Sequence, residues 1–96
     1  MSKFQSEQLN TLIEAIIGIK DTETLRMFFE DICTIKELKD MSQRLQVAKE
    51  LNDGKNYNDI SKSTGASTAT ISRVNRCLVY GSGGYSAVLS AMEEKQ

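Results

Sequence analysis

The chain has 96 residues, 40% of them hydrophobic and 26% charged, with a formal net charge of −1. That length predicts one domain, spanning residues 1–96, with one modest core, and the composition is that of a folded globular chain rather than a disordered one. No apolar run approaches the roughly 18 residues of a membrane span, and the first residues lack the apolar stretch of a signal peptide; the expected setting is cytoplasmic, with no membrane partner.

Fraying is expected at residues 1–5 and over the last few residues. There is no proline, and the hydrophobic residues recur with helical rather than alternating spacing. Leu9, Leu12, Ile13, Ile16 and Ile17 mark a first helix near residues 5–19. Asp21 or Thr22 caps a second, striped by Leu25, Phe28, Phe29 and Ile32. Thr34 with Glu37 forms a capping box, in which each side chain serves the other's backbone amide. The third helix then runs to about Asn52, with Leu38, Met41, Leu45, Ala48 and Leu51 inward. Asp53 and Gly54 end it, since glycine takes the left-handed conformation favoured at a helix C-terminus. A short helix over Asn58–Thr64 stops at Gly65, and Ser67 or Thr68 caps a fifth that extends to about Val79. Tyr80–Tyr85 reads as a flexible connection or turn before a last helix near residues 86–94. The expectation is an all-α chain of six helices. The first two expose a stripe that so small a protein cannot cover alone, which points to a homodimer.

Charge is unevenly spread. Residues 1–33 sum to −3, residues 34–56 to +1, residues 57–80 to +2 and residues 81–96 to −1. The positive segment contains "YNDISKSTGASTATISRVNR", two short helices joined by a glycine-containing turn, the layout of a helix-turn-helix over residues 57–79. On its second helix Ile71, Val74 and Leu78 form an apolar stripe, while Ala69, Ser72, Arg73 and Arg76 form the opposite one. A recognition helix must bring its N-terminal end into the major groove, where small residues permit close approach. Threonine offers a hydroxyl and a methyl, and arginine pairs with guanine or phosphate oxygens. The predicted contacts to double-stranded DNA are therefore Thr68, Ala69, Thr70, Ser72, Arg73 and Arg76, with Lys55, Asn58 and Lys62 nearer the backbone.

With these pieces, "TIKELKDMSQRLQVAKEL" (34–51) and "GASTATISR" (65–73), the segment from Phe28 to Leu78 resembles the Trp repressor superfamily. The resemblance covers half to two-thirds of the chain. It implies an intertwined, all-helical bacterial homodimer that represses transcription from palindromic operators. It also implies an effector pocket for L-tryptophan, flanked by Arg44 and Arg73, with Thr34 at its mouth. Val74 departs from the family's glycine and fills space that the ligand needs; Cys77 replaces a serine and removes a hydroxyl donor. The expectation is a Trp-repressor-like regulator with a different small effector or with none.

Two other functional classes fit the residues less well. An enzyme lacks visible role-holders: there is no histidine, no nucleophile–base pair and no metal-ligand cluster. The "YGSGGY" segment follows a helix, and it lacks both the lysine ending and the preceding strand of a phosphate-binding loop. A helical protein–protein interaction module that uses the helix-turn-helix as scaffold is the alternative function. Cys33 and Cys77 are expected to be reduced and largely buried.

Overall fold

The computed structural model describes residues 6–94. Six helices follow in order: α1 (Glu7–Gly18), α2 (Thr22–Ile32), α3 (Ile35–Asn52), α4 (Tyr57–Thr64), α5 (Thr68–Tyr80) and α6 (Gly84–Glu94). There is no strand among the described residues, as expected of an all-α chain. The expected fraying of residues 1–5, and of the last few residues as far as it concerns 95–96, falls outside the described residues.

Local chemistry starts these helices. The first amides of a helix have no intrahelical acceptor, so a side-chain oxygen just ahead of them stabilises the start. Ser6 accepts from the Leu9 amide at 3.0 Å, Asp21 from Thr24 at 2.9 Å and Asn56 from Asp59 at 2.9 Å. The bonds from the Thr24 backbone and side chain hold the Asp21 carboxyl below its ordinary range. The capping box is complete. The Glu37 amide donates to the Thr34 hydroxyl at 3.0 Å, and the Thr34 amide donates to Glu37 Oε1 at 2.8 Å.

The chain groups into two compact units, one ending at Leu38 and one starting at Lys39, with the boundary inside α3. The first unit holds α1 and α2, in which no residue is buried. Phe28 and Phe29 stack with ring centroids 6.5 Å apart. Ile17 and Ile35 are 77% and 74% exposed, and Ile13, Met27 and Ile32 are exposed beside them in sequence.

The second unit has a core of Val47, Ala48, Ile60, Ala66, Ile71, Val74 and Leu89, flanked by Leu45, Leu51, Tyr57, Leu78 and Tyr85. Here α4 packs on α5, and α5 on α6. The inward face expected for α3 needs correction. Met41 is exposed, whereas Val47 and Glu50 are buried. Adjacent residues on a helix point about 100° apart, and Val47 and Ala48 are both fully covered. The core therefore wraps a wider arc of α3 than a single stripe describes.

Glu50 is 4% exposed, and a buried carboxylate is tolerated only when its oxygens are bonded. The Ser63 hydroxyl donates to Oε1, the Gln46 amide donates to Oε2 at 2.9 Å, and Lys55 Nζ lies 3.7 Å from Oε1. The Ser63 bond first, then the Gln46 bond, holds the carboxyl below its ordinary 4.5, with Lys55 adding to the effect. Because the folded state favours the charged form, this stabilisation is complete above 4.5 and is lost as pH falls through the lowered folded value. Thermal melts followed by circular dichroism should show the wild type losing stability below pH 4.5 more steeply than Glu50→Gln.

The expected connection at Tyr80–Tyr85 is shorter than the sequence implied. Tyr80 ends α5, and Gly84 and Tyr85 begin α6, so only residues 81–83 lie between helices. Similarly, α4 begins at Tyr57 rather than Asn58. Gly81 is there for space: a Cβ would stand 2.3 Å from the Cys77 carbonyl oxygen, to which its own amide donates at 2.9 Å. Both cysteines are free thiols, but half-buried rather than largely buried. Cys33 caps the C-terminus of α2, and Cys77 lies beside the buried stripe of α5 rather than on it.

Candidate nucleic-acid interface

The expected two-helix unit is present as α4, a turn of Gly65, Ala66 and Ser67, and α5. Gly65 closes α4 in the left-handed conformation, at φ +77°, where a side chain would be strained. The hydroxyls crowded around it hold the turn. Ser61 donates to the Ala66 carbonyl at 2.8 Å. Thr64 donates to the Ile60 carbonyl at 2.7 Å and accepts from the Ala66 amide at 3.1 Å. From α3, the Gln43 amide donates to the Thr64 carbonyl at 3.2 Å. Ser67 caps α5 by accepting from the Thr70 amide at 3.1 Å, while its hydroxyl donates to Thr70 Oγ1 at 3.1 Å.

None of these bonds uses Thr68, Ala69, Ser72, Arg73 or Arg76, and all five side chains are exposed on α5. Ile71 and Val74, interleaved with them in sequence, are buried in the core. The helix therefore presents a narrow face that is small at its N-terminal end and cationic further along. Its first turn carries no acidic residue, so the positive end of the helix dipole is left uncompensated by a carboxylate. Thr70 is half-buried and its hydroxyl is engaged by Ser67, so it stands at the edge of the expected set. Asn58 and Lys62 are exposed on α4. Lys55, half-exposed, shares its charge with Glu50, which weakens it as a phosphate ligand.

Sequence reasoning missed Glu50, Gln43 and Ser61, which fix the two-helix unit without facing outward. Ser63 lies 13 positions from Glu50, and Thr64 lies 21 from Gln43. No local spacing rule connects such pairs, and a glutamate near the end of a long helix reads as a solvated charge.

The residues expected around an effector are dispersed in character. Thr34 belongs to the first unit, where its hydroxyl is used in the capping box. In the second unit Arg44 and Arg73 are exposed, Cys77 is half-buried, and Val74 is buried in the core. A cleft of 180 Å³ between the end of α3 and α6 is lined by Lys49, Asn52, Asp53, Leu89, Met92 and Glu93, and shares no residue with that set. Among the described residues no group of three or more acidic, cysteine or histidine side chains could hold a metal ion. No helix among them is long and apolar enough to cross a membrane.

The family model for the Trp repressor protein matches residues 7–93. The chain belongs to the Trp repressor family. Its likeness to relatives runs beyond the segment that carried the sequence resemblance. An uncharacterised protein, YerC, from Bacillus subtilis (strain 168) is 44% identical over 96 residues, covering 100% of this chain and 92% of that one. The crystal structure of a candidate Trp repressor from Staphylococcus aureus has a TM-score of 0.89 at 43% identity, covering 93% of this chain and 89% of that one. A TrpR-like protein from Eubacterium eligens ATCC 27750 has a TM-score of 0.90 at 47% identity, covering 95% and 94%. The six-helix arrangement is thus a Trp-repressor-like fold, and membership is in a family of regulators rather than of enzymes.

Proposed function

We propose that the protein is a sequence-specific DNA-binding regulator, acting as a repressor, that binds a palindromic operator as a homodimer. The observation that carries this reading is α5. Ile71 and Val74 anchor it while Thr68, Ala69, Ser72, Arg73 and Arg76 stay exposed on the same helix. The flat geometry of small residues lets the helix enter a major groove, and the arginines then reach guanine edges or phosphates. Lys62 and Asn58 on α4 serve the backbone, as the first helix of such a unit crosses it. Family membership supports the same reading.

The dimer is supported by the first unit, which has no buried residue in α1 or α2 and leaves Ile13, Ile17, Met27 and Ile32 exposed. A second copy that covers these residues supplies the apolar burial that the single chain lacks. Light scattering at micromolar concentration should give twice the chain mass. Ile13→Glu combined with Ile17→Glu should give the monomer; a monomeric wild type would refute the assembly.

For DNA binding, selection from a random duplex pool should enrich a palindromic sequence. Binding to it should weaken steeply as salt rises, because neutralised phosphates release counterions. Absence of enrichment, or binding indifferent to salt, would overturn the reading and favour a protein-interaction surface.

A further inference from the structure

One buried carboxylate reaches both ends of α4. Ser63, the penultimate residue of that helix, donates to Glu50 Oε1, and Lys55, just ahead of the Asn56 cap, places its Nζ 3.7 Å from the same oxygen. The Lys55 amide also donates to the Glu50 carbonyl at 3.1 Å. Gln46, one turn earlier on α3, donates to Oε2 at 2.9 Å, so α3 itself orients the carboxylate that α4 meets. Burying an ionised group adds little net stability, because desolvation offsets much of the attraction of its partners; what it supplies is direction.

Direction is what α4 otherwise lacks. Its buried residue is Ile60, in a helix of eight residues, and apolar packing is non-directional. The Gln43 bond to the Thr64 carbonyl points along the helix axis, so it resists sliding of α4 more than rolling. At about 100° per residue, Ser63 stands roughly 60° to one side of Ile60, while Asn58 and Lys62 stand roughly opposite it. The Glu50–Ser63 bond is therefore a second fixed point on the helix wheel. Two such points determine which way the exposed Asn58 and Lys62 face.

We propose that Glu50 is a positioning residue for the phosphate contacts of α4: through Ser63 and Lys55 it sets the roll of that helix, and so aims Asn58 and Lys62 at the DNA backbone. The inference rests on the DNA-binding reading, and it divides the interface into two separately held parts. Ile71 and Val74 seat α5 in the core, whereas a polar bond aims the outward face of α4. Loss of that bond removes phosphate contacts, which position a protein on the duplex but carry no sequence information. The sequence preference of α5 is left in place.

The test uses the full chain as wild type, Glu50→Gln, Ser63→Ala, and Ser63→Ala in a background of Asn58→Ala with Lys62→Ala. Anisotropy titrations with the selected duplex at several salt concentrations give affinity and salt slope, and the selection from random duplexes is repeated with each variant. Ser63→Ala should bind about fivefold more weakly, with the slope of log affinity against log salt lowered by about 1 per subunit. Glu50→Gln, whose amide has one acceptor oxygen for three donors, should change both quantities in the same direction. Both variants should enrich the wild-type sequence. In the Asn58→Ala, Lys62→Ala background, Ser63→Ala should have no further effect, because the contacts it misdirects are already gone. A merely structural loss lowers the folded fraction and weakens binding equally at every salt concentration, leaving the slope unchanged. Ser63 is exposed, so Ser63→Ala keeps the test decisive even if Glu50→Gln does not fold. Wild-type affinity, an unchanged slope, a shifted sequence preference, or an undiminished effect in that background would each overturn the proposal. Failure of the wild type to bind any duplex would instead overturn the DNA reading. In that case hydrogen exchange decides the hold on α4 by itself. Faster exchange of α4 amides in Ser63→Ala, with those of α5 unchanged, supports it, and equal exchange in the two proteins rejects it.

Discussion

Replacing Arg73 and Arg76 together by alanine is expected to weaken binding to the selected duplex by about a hundredfold or more. An arginine paired with a guanine edge contributes roughly 1–3 kcal/mol of discrimination, and about 1.4 kcal/mol corresponds to tenfold in affinity. Two such side chains per subunit, counted twice in the proposed homodimer, reach that loss even at the low end. The mode of loss separates their roles. Each arginine that neutralises a phosphate should lower the slope of log affinity against log salt by about 0.9 per subunit, while one that reads a base should relax the enriched sequence at one position. Both side chains are exposed on α5, so circular dichroism and melting temperature should stay close to those of the wild type. Anisotropy titrations at several salt concentrations make the measurement. An affinity within twofold of wild type would remove both residues from the interface.

The next residue pair gives the largest effect on stability. Ile71→Ala is expected to cost about 2–5 kcal/mol, the usual range for emptying a fully packed aliphatic site, whereas Ser72→Ala should stay within about 0.5 kcal/mol. Ile71 is entirely buried between the helices of the second unit, and Ser72, one position on, is exposed. For a domain of this size a loss of even about 2 kcal/mol lowers the melting temperature by roughly 8–16 °C. It also loosens the seat of α5, so on the proposed DNA-binding reading affinity for the duplex should fall with Ile71→Ala although that side chain is buried. Urea unfolding followed at 222 nm gives the stabilities. Equal stability of the two variants would mean that the buried face of α5 has been assigned to the wrong residues.

What could be read from the residues was local. Thr34 and Glu37 are three positions apart, and their reciprocal bonds formed as the spacing required. Gly65 took the left-handed conformation that a three-residue turn between helices demands. The alternation of Ile71 and Val74 with Ala69, Ser72 and Arg73 placed one set inside and the other outside. Such features depend on hydrogen bonds within a turn and on the angular period of a helix, both of which are present in the sequence order itself. The exposed part of the candidate interface was legible for the same reason.

Other features depended on residues brought together from a distance. The stretch "STGAST" gave no sign that Ser63 and Thr64 spend their hydroxyls on Glu50 and Ile60 inside the protein, leaving Thr68 onward to face outward. Nothing local distinguished Glu50 from the exposed charges around it, nor placed Val47 inside and Met41 outside. The glycine-rich segment read as a flexible link because its composition permits many conformations; close packing of α6 on α5 selected one and seated Tyr85 against the core. Sequence order by itself determined the six helices, several of their caps and the exposed face of α5, because those rest on contacts a few residues apart. Tertiary structure alone decided which polar groups are consumed in holding that face, because burial is a property of the assembled core and not of any one segment.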